Sequence, residues 1–126
     1  MAFDTTFLVD CLDGEPATRT FLENHEGKPF CAPSLALFEA YRGAAKSAGR
    51  DGVDRIVTGL EWIEPLALTD GAAREAAVIE AELLEGGTPI NLGDVLIAGV
   101  CRHNGARLVN RDGRFDRVDE LSTTTD

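Results

Sequence analysis

Four apolar runs in this chain are too short to be helices, and helical spacing or turn chemistry fills the intervals between them. They cover 2–5, 28–32, 62–66 and 106–110. Strands this short hold together only when buried, and strands alternating with helices join by crossovers rather than hairpins. The pattern therefore predicts an α/β fold: a three-layer α/β/α sandwich with a short parallel sheet and right-handed crossovers. At 126 residues the chain is read as a single domain, 1–126, with a core of useful size.

Between the runs, Phe7–Leu12 reads as a short helix. A second helix spans Ala17–Glu26 with Phe21 and Leu22 inward, and Gly27 closes it. Pro33-Ser34 opens a third, with Ser34 as N-cap and Leu35, Phe38 and Tyr41 along one side. The small, polar run 44–52 ends or bends that helix, and Val53–Leu60 continues as helix. Asp70 is the expected cap of Gly71–Leu84, where Ala76, Ile79 and Leu83 recur at helical spacing. Asn91 caps an apolar helix rich in small residues, which Asn104-Gly105 ends. Asp116–Leu121 is expected as an edge strand and 122–126 as a frayed tail.

No apolar run approaches the ~20 residues of a membrane span. The start of the chain lacks a basic stretch followed by an apolar one, so no signal peptide is expected and a cytoplasmic location is the default. Three cysteines with no Cys-x-x-Cys spacing point to reduced thiols rather than a zinc site or disulfide framework. A net charge of −10 argues against a protein that coats nucleic acid. Arginine outnumbers lysine ten to two, and Arg102, Arg107, Arg111, Arg114 and Arg117 cluster near the C-terminus. A high-salt cytoplasm and genome composition both account for such an acidic, lysine-poor chain.

Four carboxylates stand in suggestive places. Asp4 closes the first apolar run and Asp112 follows the fourth, so they meet if those two strands are neighbours. In open α/β sheets, sites form beyond the carboxyl ends of the strands where strand order reverses. Asp94 is the third residue of the helix capped by Asn91, and Glu39 lies inside the third helix. Each has an ordinary alternative: a first-turn acid for Asp94, an i,i+3 pair with Arg42 for Glu39. Asp10 and Asp13 read as a solvated helix residue and a turn residue. Converging acids suit Mg²⁺ or Mn²⁺, which take oxygen ligands and assist in-line attack on a phosphodiester. The clustered arginines and Arg42 then hold substrate phosphates.

The chain resembles PIN-domain proteins, specifically the small toxin ribonucleases of the VapC type. Asp4-Thr5-Thr6-Phe7-Leu8-Val9-Asp10 is similar to that family's opening Asp-Thr-Ser/Asn-x-Leu-Ile-Asp. Leu37–Gly43 resembles its helix with an acid shortly before Arg/Tyr-Gly, and Asn91–Ala98 its Asp-x-x-Ile-Ala segment. Leu108-Val109-Asn110-Arg111-Asp112-Gly113-Arg114-Phe115 resembles its Leu-Val-Thr-x-Asp-x-x-Phe, with Asn110 where Thr or Ser is usual. The four matches, in order, cover nearly the whole chain. The resemblance implies strand order 3-2-1-4-5 and a divalent-metal-dependent ribonuclease, with Mg²⁺ or Mn²⁺ held by Asp4, Glu39, Asp94 and Asp112. Thr6, Arg42, Asn110, Arg111 and Arg114 are the expected substrate-side residues. An RNA substrate, a cognate antitoxin protein and a homodimer are implied partners.

Two other doubly wound phosphate enzymes fit less well. A haloacid-dehalogenase phosphatase needs a second Asp where Thr6 stands, and a lysine that neither Lys28 nor Lys46 is placed to supply. A response-regulator receiver needs paired acids near the first strand and a late lysine. A housekeeping RNA-processing nuclease and an inactive PIN-like binding module remain as alternatives.

Overall fold

The structure is a computed structural model that describes residues 1–111 and 113–125. Its sheet has five parallel strands: β1 (Ala2–Phe3), β2 (Cys31–Pro33), β3 (Glu64–Leu66), β4 (Leu108–Asn110) and β5 (Thr123–Thr125). Their order is β3-β2-β1-β4-β5, as the resemblance implied. The helices are α1 (Thr5–Leu12), α2 (Pro16–Asn24), α3 (Ser34–Gly59), α4 (Asp70–Glu85) and α5 (Leu92–Asn104). The chain runs outward from β1 to β2 to β3 and then returns across the sheet to β4. Right-handed crossovers therefore put the helices of the two directions on opposite faces.

β1 and β4 pair with Ala2 opposite Leu108 and Phe3 opposite Val109. All four side chains are fully buried, which explains how such short strands persist. Phe3 stacks on Phe7 at 4.1 Å between ring centroids, and Phe7 meets Phe21 edge-on at 5.6 Å. That aromatic column ties β1 to α1 and α2. Burying each such ring contributes roughly 1.5–3 kcal/mol.

α5 is the most buried helix: Val95, Ile97, Ala98, Val100 and Cys101 are within 2% of full burial. Its small residues let α4 approach closely. A Cβ placed on Gly99 would fall 2.6 Å from Ala76 Cβ and 2.9 Å from Ala72 O. One placed on Gly71 would overlap the ring of His103. The two helices are thus interlocked at two levels. Arg102, with a side chain only 8% exposed, adds ion pairs to Glu75 at 2.8 Å and Glu82 at 3.3 Å, and donates to Asp119 O at 3.0 Å.

Several local expectations change. The segment expected to fray is β5, whose residues pair with all three of β4; Arg107 also donates to Thr123 O at 3.0 Å. The edge strand expected at 116–121 is absent. Its place is taken by a 3₁₀ turn (Arg114–Arg117), because Phe115 and Val118, three apart, both turn into the core. α1 starts at Thr5, not Phe7, with Asp4 as its N-cap. Thr69, not Asp70, caps α4 by accepting from Ala72 N at 3.2 Å. Ser34 is the first residue of α3 and makes no side-chain cap. The buried side of α3 is Ala36, Leu37 and Ala40, while Phe38 is 50% exposed; the two alanines let the helix lie close on that side. The predicted bend in α3 is present, at Gly49, whose φ of 60° lies outside the helical region.

Candidate active site

Strand order reverses between β1 and β4, the place beyond the strands' carboxyl ends where open α/β sheets form the crevice that holds their sites. Asp4 follows Phe3 directly and is 2% exposed. Its Oδ1 accepts from Phe7 N at 2.9 Å, so one carboxylate oxygen is spent on capping α1. Its Oδ2 faces the guanidinium of Arg114, 3.9 Å from Nη2. One carboxylate thus serves both the local backbone and the crevice.

Asp94 reaches the same cation from the other side. It is 5% exposed, and its Oδ2 lies 2.9 Å from Arg114 Nε. Asn91 fixes it from two directions: Asn91 Oδ1 accepts from Asp94 N at 2.9 Å, and Asn91 Nδ2 donates to Asp94 Oδ2 at 2.8 Å. The first bond is the helix cap expected from the sequence. The second orients the carboxylate. A position in the first turn of α5 favours its charged form.

Glu39 stands beside this pair. Thr5 Oγ1 donates to its Oε1 at 2.7 Å. Its Oε2 lies 3.8 Å from Arg42 Nη2 and would be 3.4 Å from a Cβ on Gly93. The absence of a side chain at Gly93 therefore lets Glu39 lie against the start of α5. The i,i+3 pair with Arg42 is formed, and it does not prevent Glu39 from facing Asp94's helix.

Arg42 is about half exposed, with its guanidinium 5.3 Å from the centre of the Phe38 ring. Arg111 pairs with Asp10 at 2.9 Å, which gives Asp10 a partner rather than the plain solvation expected of it. Asn110 is 2% exposed, and its Oδ1 accepts from Gly113 N at 3.1 Å, holding the turn after β4. Thr6 is exposed, and the threonine that touches a candidate acid is its neighbour Thr5. Asp112 lies outside the described residues.

The structure thus gathers Asp4 and Asp94 on one cation, with Glu39 adjacent across Gly93. Among the described residues no three His, Cys, Asp or Glu side chains stand close enough to hold a metal ion. The donors present are nonetheless hard carboxylate oxygens, nearly dry, and already gathered around a positive charge. That chemistry fits Mg²⁺ or Mn²⁺.

Sequence reasoning overlooked Thr5, Asn91's amide nitrogen and the Asp10–Arg111 pair. Only Asn91, three places before Asp94, left a local signal, because short polar side chains bond nearby backbone and side-chain groups.

Comparison with known proteins places the family and the fold. The PIN domain pattern matches residues 1–121. The tRNA(fMet)-specific endonuclease VapC of Shigella flexneri is 32% identical over 123 residues, covering 95% of this chain and 92% of that one. Among solved structures, VapBC2 from Rickettsia felis bound to a DNA fragment from its promoter superposes with a TM-score of 0.88. It is 20% identical and covers 98% of this chain and 96% of its own. DNA-bound VapBC from Salmonella typhimurium gives a TM-score of 0.85 at 26% identity, covering 98% and 96%.

Proposed function

The chain belongs to the PIN-domain family, and on that premise we propose that it is a divalent-metal-dependent ribonuclease that hydrolyses RNA phosphodiester bonds as the toxin of a toxin–antitoxin pair. The observation that carries this proposal is the pair of buried carboxylates, Asp4 and Asp94, gathered on one cation at the strand-order reversal. The endonuclease from Shigella flexneri, similar along nearly the whole chain, supports the RNA-cleaving part.

Asp4, Glu39, Asp94 and Asp112 are the residues that would hold Mg²⁺ or Mn²⁺. The chemistry such an ion supplies when bound is charge stabilisation on a phosphoryl oxygen and a more acidic water. The chain's own groups do the rest. Asn91 and the α1 cap fix the directions of Asp94 and Asp4, and Thr5 fixes that of Glu39. Arg42, Arg111 and Arg114 stand at the rim as phosphate-binding groups, with Thr6 on the exposed side of α1. Asn110 contributes by shaping the turn that carries Arg111 and Arg114.

Among the described residues no helix is long and apolar enough to cross a membrane; action on RNA in the cytoplasm is part of the proposal. Solved structures similar to this chain are of VapBC bound to DNA, and this supports a cognate antitoxin for the present chain; a homodimeric toxin is proposed on the family resemblance alone. The antitoxin would insert a cationic side chain among the acids while its own acids pair with the rim arginines.

The test is cleavage of a defined RNA by purified protein in EDTA, Mg²⁺ and Mn²⁺, with Asp4→Asn alongside. An amide keeps the oxygen that caps α1, so the variant is expected to fold as the wild type while losing metal-dependent cleavage. Full activity in folded Asp4→Asn removes Asp4 from the mechanism.

A further inference from the structure

Arg114 lies on the acids themselves rather than at a distance from them. Its Nε is 2.9 Å from Asp94 Oδ2 and its Nη2 is 3.9 Å from Asp4 Oδ2. The two carboxylate side chains are 8% and 3% exposed, so their charges are far from solvent screening. Buried like charges raise one another's energy, and a cation between them relieves both repulsion and desolvation.

Arg114 faces an Oδ2 of each acid, and on Asp94 it shares that oxygen with Asn91 Nδ2, so a metal ion held by the two carboxylates would have to take the place of its guanidinium. Asp4 Oδ1 is committed to the backbone of α1, which leaves Oδ2 to face the crevice. We propose that Arg114 is the built-in counter-cation of the Asp4–Asp94 pair, and that a divalent metal ion binds by displacing it. This inference rests on the reading of Asp4 and Asp94 as metal-holding acids. Guanidinium and metal compete for the same two carboxylates, so Arg114 sets how tightly the metal binds.

Displacement has somewhere to lead. The Arg114 side chain is one-third exposed and starts a 3₁₀ turn, and its guanidinium already lies 5.3 Å from the centre of the Phe115 ring. An outward swing brings its charge from the acids to the rim, where substrate phosphate arrives. Metal entry then converts an internal counter-ion into a substrate contact, and the metal-free protein is held closed by its own arginine.

The experiment measures metal binding rather than activity. EDTA-stripped wild type, Arg114→Gln, Arg114→Lys and Asp94→Asn are titrated with MnCl₂ alone, by calorimetry and by the electron paramagnetic resonance signal of free Mn²⁺. Arg114→Gln is expected to bind Mn²⁺ about tenfold more tightly than wild type, equivalent to ~1.4 kcal/mol. Arg114→Lys, a flexible point charge that cannot fork across both carboxylates, is expected to fall between them. Circular dichroism establishes that each variant is folded, and Arg114→Lys decides the question if Arg114→Gln is not. Equal or weaker Mn²⁺ binding in the deciding variant overturns the counter-cation role. If wild type binds and Asp94→Asn does not, that failure leaves the metal site standing. If neither wild type nor Arg114→Gln binds Mn²⁺, the metal-site reading falls together with the inference.

Discussion

Asn91 makes two bonds that can be broken separately, and they serve different ends. Its Oδ1 caps α5 through Asp94 N, and its Nδ2 holds Asp94 Oδ2. Asn91→Ala removes both. Loss of an N-cap costs typically ~1 kcal/mol. The bond to the carboxylate adds about 0.5 kcal/mol, at the low end for a hydrogen bond, because Asn91 is exposed and water replaces it readily. Unfolding entropy is ~2.1 cal/mol/K per residue, or about 0.26 kcal/mol/K for 126 residues. A loss of about 1.5 kcal/mol therefore lowers Tm by about 6 °C. Asn91→Ser keeps a cap acceptor but lacks the longer amide whose Nδ2 reaches Asp94 Oδ2, so its Tm should fall by only about 2 °C. Its RNA cleavage, by contrast, should drop about as far as that of Asn91→Ala, since both free the Asp94 carboxylate. The assays are thermal melts by circular dichroism and cleavage rates at fixed Mg²⁺. If Asn91→Ser melts as low as Asn91→Ala, or cleaves as fast as wild type, then the two bonds do not divide the labour in this way.

Three further outcomes are expected. With a net charge of −10, thermal stability should rise between low and molar KCl as self-repulsion is screened, and a flat or falling Tm would favour genome composition as the source of the acidity. Burial pushes the Cys101 thiol from 9.0 up to about 12, so the folded protein holds a proton that the unfolded chain releases. Stability is then fully present below about pH 9 and is lost as pH rises toward 12; urea midpoints at pH 8 and 10.5 should differ less in Cys101→Ala than in wild type, and equal differences would count against it. Asp4→Ala should melt about 4 °C below Asp4→Asn, because only the amide retains the cap worth ~1 kcal/mol; coincident melts would remove Asp4 from the capping of α1.

The sequence carried the architecture further than the details of its ends. Alternating short apolar runs disclosed the parallel sheet because β1 and the Leu108-Val109 pair of β4 are apolar and fully buried, and the strand order came by resemblance rather than from periodicity. β5 escaped notice because three threonines on a sheet edge show no apolar alternation, although β-branched residues suit a pleated, half-buried surface. The edge strand was placed too early, at 116–121, because Phe115 and Val118 were read without their three-residue spacing, which carries the helical turn on to Arg117. Asp4 and Asp94 were legible as candidates from their places at a strand end and in a first turn. What could not be read was the side-chain wiring: Thr5 rather than Thr6 on Glu39, and Arg114 across both aspartates. Such contacts join positions far apart in the chain, and no local pattern encodes them.

The interlock of α4 and α5 divides the molecule by how freely it can drift. Asp94 owes its place to a helix wedged from behind, where Gly99 leaves no room for even a methyl group against Ala72 and Ala76. A change on that hidden side moves the acid without touching the crevice. The crevice rim, by contrast, carries half-exposed Arg42 and Arg111, whose side chains can be exchanged without disturbing the packing. Divergence in which RNA is cut, or which inhibitor is bound, is therefore expected to accumulate at the front of the protein, over a back wall that has almost no neutral neighbours in sequence space.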